Sequence, residues 1–261
     1  MAILFAFANQ KGGVAKTTSV ASLGGALVER GSRVLVVDLD PQGNLSLAVG
    51  INPRRLHHHV SDLLLNATPA QDLIVQTRTP GLDLLPSGRA LTLAERYLPT
   101  RPHYQTILST MLRPLPYDYI ILDCPPALGT ITATALAATD VLVIPTQAEY
   151  FSAYALQAML AMIRQVRATT NPHLAYRVLI TMFRTRTRAL RIIKARLEAT
   201  FGQGLFQTTI EVDTKLREAA IAGLPITHYA PKSRAARQYR ALAQELLDYV
   251  QTQETASVRT A

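Results

Sequence analysis

Residues 9–18, NQKGGVAKTT, put two lysines, two adjacent glycines and two adjacent threonines into one short stretch. Before it, Ala2–Ala8 (AILFAFA) is a continuous apolar run of strand length. After it, Thr17–Arg30 carries Val20, Leu23, Ala26 and Leu27 at helical spacing, and Gly31 predicts the end of that helix. A strand, a glycine-bearing loop and a helix form a cradle in which backbone N–H groups and the helix N-terminus point at an anion. Gly12 and Gly13 let the backbone take positive φ and approach closely. Lys16 is placed to reach terminal phosphates, and the Thr17 hydroxyl suits Mg²⁺. The common nucleotide loop has glycine, any four residues, glycine, lysine, then serine or threonine; here Gln10 and Ala15 hold the two glycine positions.

The alternation continues outward. Arg33–Val37 (RVLVV) runs into Asp38-Leu39-Asp40-Pro41, and Tyr119–Leu122 (YIIL) runs into Asp123-Cys124-Pro125-Pro126. Val141–Ile144 and Val178–Ile180 read as further buried strands, each followed by helical pattern. Strands without polar alternation, separated by helices, predict a doubly wound, mainly parallel α/β sheet with helices on both faces. Ligands of such sheets lie beyond the carboxyl ends of the strands, where the loop and the three aspartates converge. Residues 52–61, with His57–His59, read as a solvated loop or helix start, because consecutive side chains diverge too far to share a metal. Residues 66–118, rich in Pro and Thr, are the least legible.

The 261-residue chain has one cysteine, Cys124, which excludes an intrachain disulfide and suits a reducing cytosol; at a strand end it reads as a small buried residue. No run of about 18 apolar residues predicts a membrane span. The net charge is +9. Its distribution is uneven: residues 177–240 hold 13 Lys or Arg against 4 Asp or Glu, and the remainder balances at 14 against 14. A cytosolic protein with one basic segment is expected to meet a polyanion.

KGGVAKTT resembles the deviant Walker A motif of the ParA/Soj/MinD ATPases. The likeness extends through VLVVDLDPQGN (34–44), DYIILDCPPALG (118–129), VIPTQAEYFSAYAL (143–156), LITMFRTRT (179–187) and YAPKSRAARQYRALAQEL (229–246), which are similar to the ParA/Soj versions of those regions. It implies a single P-loop ATPase domain over residues 1–250, with residues 251–261 a frayed tail. It further implies ATP and Mg²⁺ as cofactors and Lys11, Gly12, Gly13, Val14, Ala15, Lys16, Thr17 and Thr18 around the phosphates. Lys11 would be the signature lysine that reaches the nucleotide of the other subunit in an ATP-dependent homodimer, and Glu149 would face that nucleotide. Asp40 matches the residue that orients the attacking water; Thr17, Asp38 and Asp123 match the magnesium surroundings; Met182 and Pro231 lie where the family contacts adenine. Family members have glycine where this chain has Ala15, so a positive φ there would strain it by roughly 1 kcal/mol or more.

The basic clusters are Arg184, Arg186, Arg188 and Arg191; Lys215 and Arg217; and Arg234, Arg237 and Arg240, in a helix capped by Ser233. Arg186, Arg188, Lys215, Arg217, Arg234 and Arg237 are the candidate DNA contacts, since Lys215 and Arg234 fall where ParA/Soj proteins carry residues used for nonspecific double-stranded DNA. The resemblance implies a cytoplasmic, nucleoid-associated ATPase, stimulated by a ParB-like or cargo-adaptor protein and positioning a chromosome, a plasmid or a protein organelle. Membrane cycling of the MinD kind is not expected, because QTQETASVRTA offers no apolar face. Two alternatives remain open: a metabolic ATP-dependent ligase of the same superfamily, such as a dethiobiotin-synthetase or cobyrinate-amidase type, and a nucleotide-gated binding protein with little turnover.

Overall fold

The computed structural model describes residues 1–149, 152–184 and 188–259. The apolar runs pair into one seven-stranded sheet: β1 (Ile3–Phe7), β2 (Val34–Asp38), β3 (Val75–Gln76), β4 (Leu82–Leu85), β5 (Tyr119–Asp123), β6 (Val141–Gln147) and β7 (Ala175–Thr181). Their order is β3-β4-β2-β5-β1-β6-β7, parallel except where β3 pairs antiparallel with β4 at the edge. The register sets Phe7 beside Asp123 and Asp38 beside Asp123, so β1, β2 and β5 end level with one another.

Helices α1 (Lys16–Val28), α2 (Asn44–Ala48), α3 (Val60–Asn66), α4 (Leu91–Tyr97), α5 (Ile107–Leu112) and α6 (Thr130–Ala138) occupy the first half of the chain. The second half carries α7 (Ser152–Thr169), α8 (Arg188–Phe201), α9 (Lys215–Ala222), α10 (Ile226–Tyr229) and α11 (Arg234–Arg259). Successive strand side chains feed opposite cores. On one face Phe5, Phe7, Val34, Val36 and Ile121 pack with Val20, Leu23 and Leu27 of α1 and with Tyr239, Leu242 and Leu246 of α11. On the other, Leu4, Ala6, Leu35, Val37, Ile120 and Leu122 pack with side chains of α3 to α7. Within α1, Gly25 lies so close to Pro225 and Thr227 that a methyl there would overlap both.

Ser233 caps α11 as expected, its Oγ accepting from Ala236 N–H at 3.1 Å. The helix does not stop at Val250: residues 251–259, expected to fray, are helical through Arg259. Gln, Glu and Ala are good helix formers that propagate a helix already nucleated. At 52–66, His59 precedes α3; its N–H donates to Asp62 Oδ2 at 2.8 Å, and its Nε2 lies 2.9 Å from the Pro53 carbonyl. No helix among the described residues is long and apolar enough to cross a membrane.

Candidate nucleotide-binding site

The loop between β1 and α1 is built around Asn9, whose side chain fixes both flanks. Its Nδ2 donates to Pro145 O at 2.7 Å and its Oδ1 accepts from Lys11 N–H at 3.0 Å. Gly13 (φ 73°) and Ala15 (φ 62°, ψ 31°) both take the left-handed conformation, which turns the chain into α1; Ala15 O then accepts from Ser19 N–H at 2.9 Å. For glycine this costs little, whereas for alanine it is strained. Val14 is a core side chain that contributes to the loop through its backbone, its carbonyl accepting from Thr181 Oγ1 at 3.0 Å.

A cavity of about 590 Å³ opens over this loop, lined by Gly12, Gly13, Ala15, Lys16, Thr17, Thr18 and Asp40 and walled by α2 and α9. Lys16, only 8% exposed, curls its Nζ onto the carbonyls of Asn9 (3.1 Å) and Lys11 (3.2 Å). Burial pulls its pKa below the ordinary lysine value, partly offset by the charge of Asp123. Thr17 Oγ1 donates to Asp123 Oδ2 at 2.7 Å. The other oxygen, Asp123 Oδ1, is buried without a hydrogen-bond partner. Burial, together with the neighbouring Asp38, pushes the Asp123 carboxyl well above the usual carboxylate range.

Asp40 reaches the cavity, and its Oδ1 accepts from Gln42 N–H at 2.9 Å. Asp38 does not. It is fully buried, its Oδ2 taken by the N–H (2.8 Å) and hydroxyl (2.7 Å) of Ser46 and its Oδ1 by Asp40 N–H at 3.2 Å. Burial raises its pKa to about 6 despite these bonds. Its position is that of a brace for the Asp40 turn. Lys11 also points away from its own cavity, with Nζ 2.5 Å from Glu149 Oε2 and 3.0 Å from Gln147 Oε1. Cys124 is buried and its thiol is pushed up by burial, consistent with an inert core residue.

Met182 and Pro231 lie outside the cavity lining. Met182 sits at φ 52° with its sulfur 2.9 Å from Gln147 Nε2, and that amide also donates to Gly13 O at 3.2 Å. Pro231 instead lines a separate cavity of about 480 Å³ that also holds Lys215 and Arg234. There Lys215 pairs with Glu218 (2.7 Å), while Arg234 pairs with Glu211 (3.1 Å) and donates to Val212 O (2.6 Å). Arg217 is exposed on α9, and Arg237 donates to Lys232 O at 2.7 Å. Arg186 and the side chain of Arg188 fall outside the described residues. The lining residues Gln42, Asn44, Leu47, Ala48, Pro126, Ala220 and Ile221 were not singled out from sequence. Gln42 and Asn44 follow Asp40 directly and were within reach of motif reading; Ala220 and Ile221 arrive only through the fold.

A glycine loop between β1 and its helix that ends in a buried lysine and a threonine, on a doubly wound parallel sheet, marks the P-loop ATPase class. A family model described as "AAA domain" matches residues 2–176. The chain is 40% identical over 247 residues to the chromosome-partitioning ATPase Soj of Thermus thermophilus, covering 94% of this chain and 96% of that one. It is 34% identical over 249 residues to the chromosome partitioning protein ParA of Caulobacter vibrioides, covering 94% and 93%. A crystal structure described as cobyrinic acid a,c-diamide synthase from Mycobacterium smegmatis, with bound ATP analog and magnesium, superposes with a TM-score of 0.82 at 35% identity, covering 96% of each chain. The chain belongs to the ParA/Soj family of partition ATPases.

Proposed function

We propose that this protein hydrolyses ATP slowly, with Mg²⁺, as a nucleotide-gated dimer that binds DNA without sequence specificity and positions cargo on the nucleoid. The observation that carries the reading is the convergence of Lys16, Thr17 and Asp40 on one cavity beyond the ends of β1, β2 and β5, with Asp123 held by the Thr17 hydroxyl just behind its lining. Incoming phosphates would draw Lys16 Nζ from the carbonyls of Asn9 and Lys11, and the loop amides would cradle them. The residues present fit the metal: a threonine hydroxyl beside a buried carboxylate with one unsatisfied oxygen offers the hard oxygen donors that magnesium takes, directly or through water. When bound, magnesium neutralises charge developing on the phosphates. Asp40, held by the Gln42 amide and braced from behind by Asp38, would accept a hydrogen bond from the attacking water. Lys11 would leave Glu149 and Gln147 for the partner subunit's phosphates on dimerisation.

DNA phosphates would compete with Glu218 and Glu211 for Lys215 and Arg234, and dimerisation would double the basic surface. A ParB-like or adaptor protein would set the turnover rate. The decisive experiment measures binding to a random-sequence duplex without nucleotide and with ADP, ATP or a slowly hydrolysed analogue, at two salt concentrations. Salt-sensitive binding only with ATP or the analogue is expected. Binding indifferent to nucleotide, or absent, would overturn the gated reading. The likeness to a structure described as a cobyrinic acid diamide synthase favours one second reading, a metabolic ligase. That reading requires ATP turnover that depends on a small carboxylate and ignores DNA.

A further inference from the structure

Beyond the carboxyl ends of β2 and β4 lies a larger cavity, about 820 Å³, that shares Gln42 with the nucleotide cavity and is otherwise separate. Arg54, Arg89 and His59 line it, and no carboxylate does. Both arginines are exposed, and among the described residues neither guanidinium has a hydrogen bond or ion pair. This sets them apart from Arg113, Arg177, Arg234 and Arg240, each held by an internal carboxylate. The cavity also lies outside the basic segment, so its charge is not a by-product of the arginine-rich sequence. At one wall Gly88 lets the backbone lie against the His59 ring, which a Cβ there would meet at 2.6 Å.

Two arginines without an internal partner on the rim of one open cavity offer the planar, bidentate chemistry that suits phosphate oxygens. The volume falls in the range of about 300–1,000 Å³ occupied by small-molecule sites. We propose that this cavity is a second anion site, taking a small phosphate-bearing molecule held by Arg54 and Arg89. Its wall is tied to the catalytic side. Ser87 Oγ donates to Asp40 O at 2.5 Å, and Ser87 N–H donates to Ser46 Oγ at 3.3 Å, the hydroxyl that holds Asp38. A ligand that moves the 87–90 wall therefore moves the Asp40 turn. That consequence rests on the role proposed above for Asp40, whereas the binding itself does not.

The test is calorimetric titration of pyrophosphate into the full chain saturated with ADP, with magnesium in excess of both, so that the nucleotide cavity is filled. One pyrophosphate per chain is expected to bind. In the Arg54→Gln, Arg89→Gln double variant it should bind at least about tenfold more weakly, with ADP affinity and melting temperature unchanged. Citrate, a carboxylate of similar charge, should bind more weakly than pyrophosphate. Absence of saturable pyrophosphate binding, equal binding in the variant, or tighter binding of citrate would overturn the assignment. Because binding is read without turnover, failure here would leave the ATPase reading standing.

Discussion

Replacing Ala15 by glycine should stabilise this protein, although it removes a side chain from the nucleotide loop. Ala15 sits at φ 62°, ψ 31°, where an L-residue is disfavoured by about 1–2 kcal/mol. Glycine relieves that strain but enlarges the unfolded ensemble, which returns about 0.4–1 kcal/mol. The net gain is therefore about 0.5–1 kcal/mol, or a rise in Tm of about 1–4 °C for a chain of this size. Ala67, at φ 55° in the loop after α3, supplies an internal standard: Ala67→Gly should gain a similar amount by the same mechanism. The assay is urea unfolding with the slope held constant between variants, so that a shift in midpoint reports stability alone. The same increment should appear with saturating ADP and magnesium, because the strain lies in the Ala15 backbone itself. A gain for Ala67→Gly with none, or a loss, for Ala15→Gly would refute the strain argument and show that the Ala15 methyl stabilises its loop.

Other perturbations separate brace, packing and surface. In the metal-free chain Asp38 has its pKa raised to about 6 from 3.8, so the stability contributed by its neutral form is complete below 3.8 and lost as pH rises through about 6. The stability difference between the native chain and Asp38→Asn should therefore change by roughly 3 kcal/mol between pH 3.5 and 7, the native chain losing ground as pH rises; a flat difference would contradict the buried, desolvated carboxyl. Gly25→Ala should cost about 1–3 kcal/mol in a chemical melt, because its methyl overlaps Pro225 and Thr227; a neutral outcome would mean that α10 yields freely. Lys215→Gln with Arg234→Gln should abolish nucleotide-gated DNA binding while ATP affinity is kept, and retained DNA affinity would move the interface elsewhere.

The strands that decide the fold were legible because they are buried on both sides: β1, β2, β5, β6 and β7 read as unbroken apolar runs, within a few residues of their observed ends. β4 was missed, and the two-residue β3 gave no signal, because an edge pairing this short has no period to read. Within the site, the loop, Lys16, Thr17, Asp40 and Asp123 were readable, being local in sequence and distinctive in type. The direction of Asp38 was not, since it depends on Ser46 in the next helix. The separation of Met182 and Pro231 from the cavity, and the occupation of Lys215 and Arg234 by internal carboxylates, are likewise tertiary facts.

The packing of α1 against α11 also bears on how the chain is made. The helix that carries Lys16 and Thr17 is covered by Tyr239, Leu242 and Leu246, with Tyr239 Oη 3.0 Å from Ser19 Oγ and Arg240 clasping Glu29 at 2.7 Å. During synthesis the loop leaves the ribosome more than 200 residues ahead of α11, so its supporting helix stays uncovered on that face until α11 has followed. A chain truncated before α11 would hold the whole loop and α1 yet lack the Tyr239, Leu242 and Leu246 surface that covers them, so the start of α1 depends for its packing on residues more than 200 positions away.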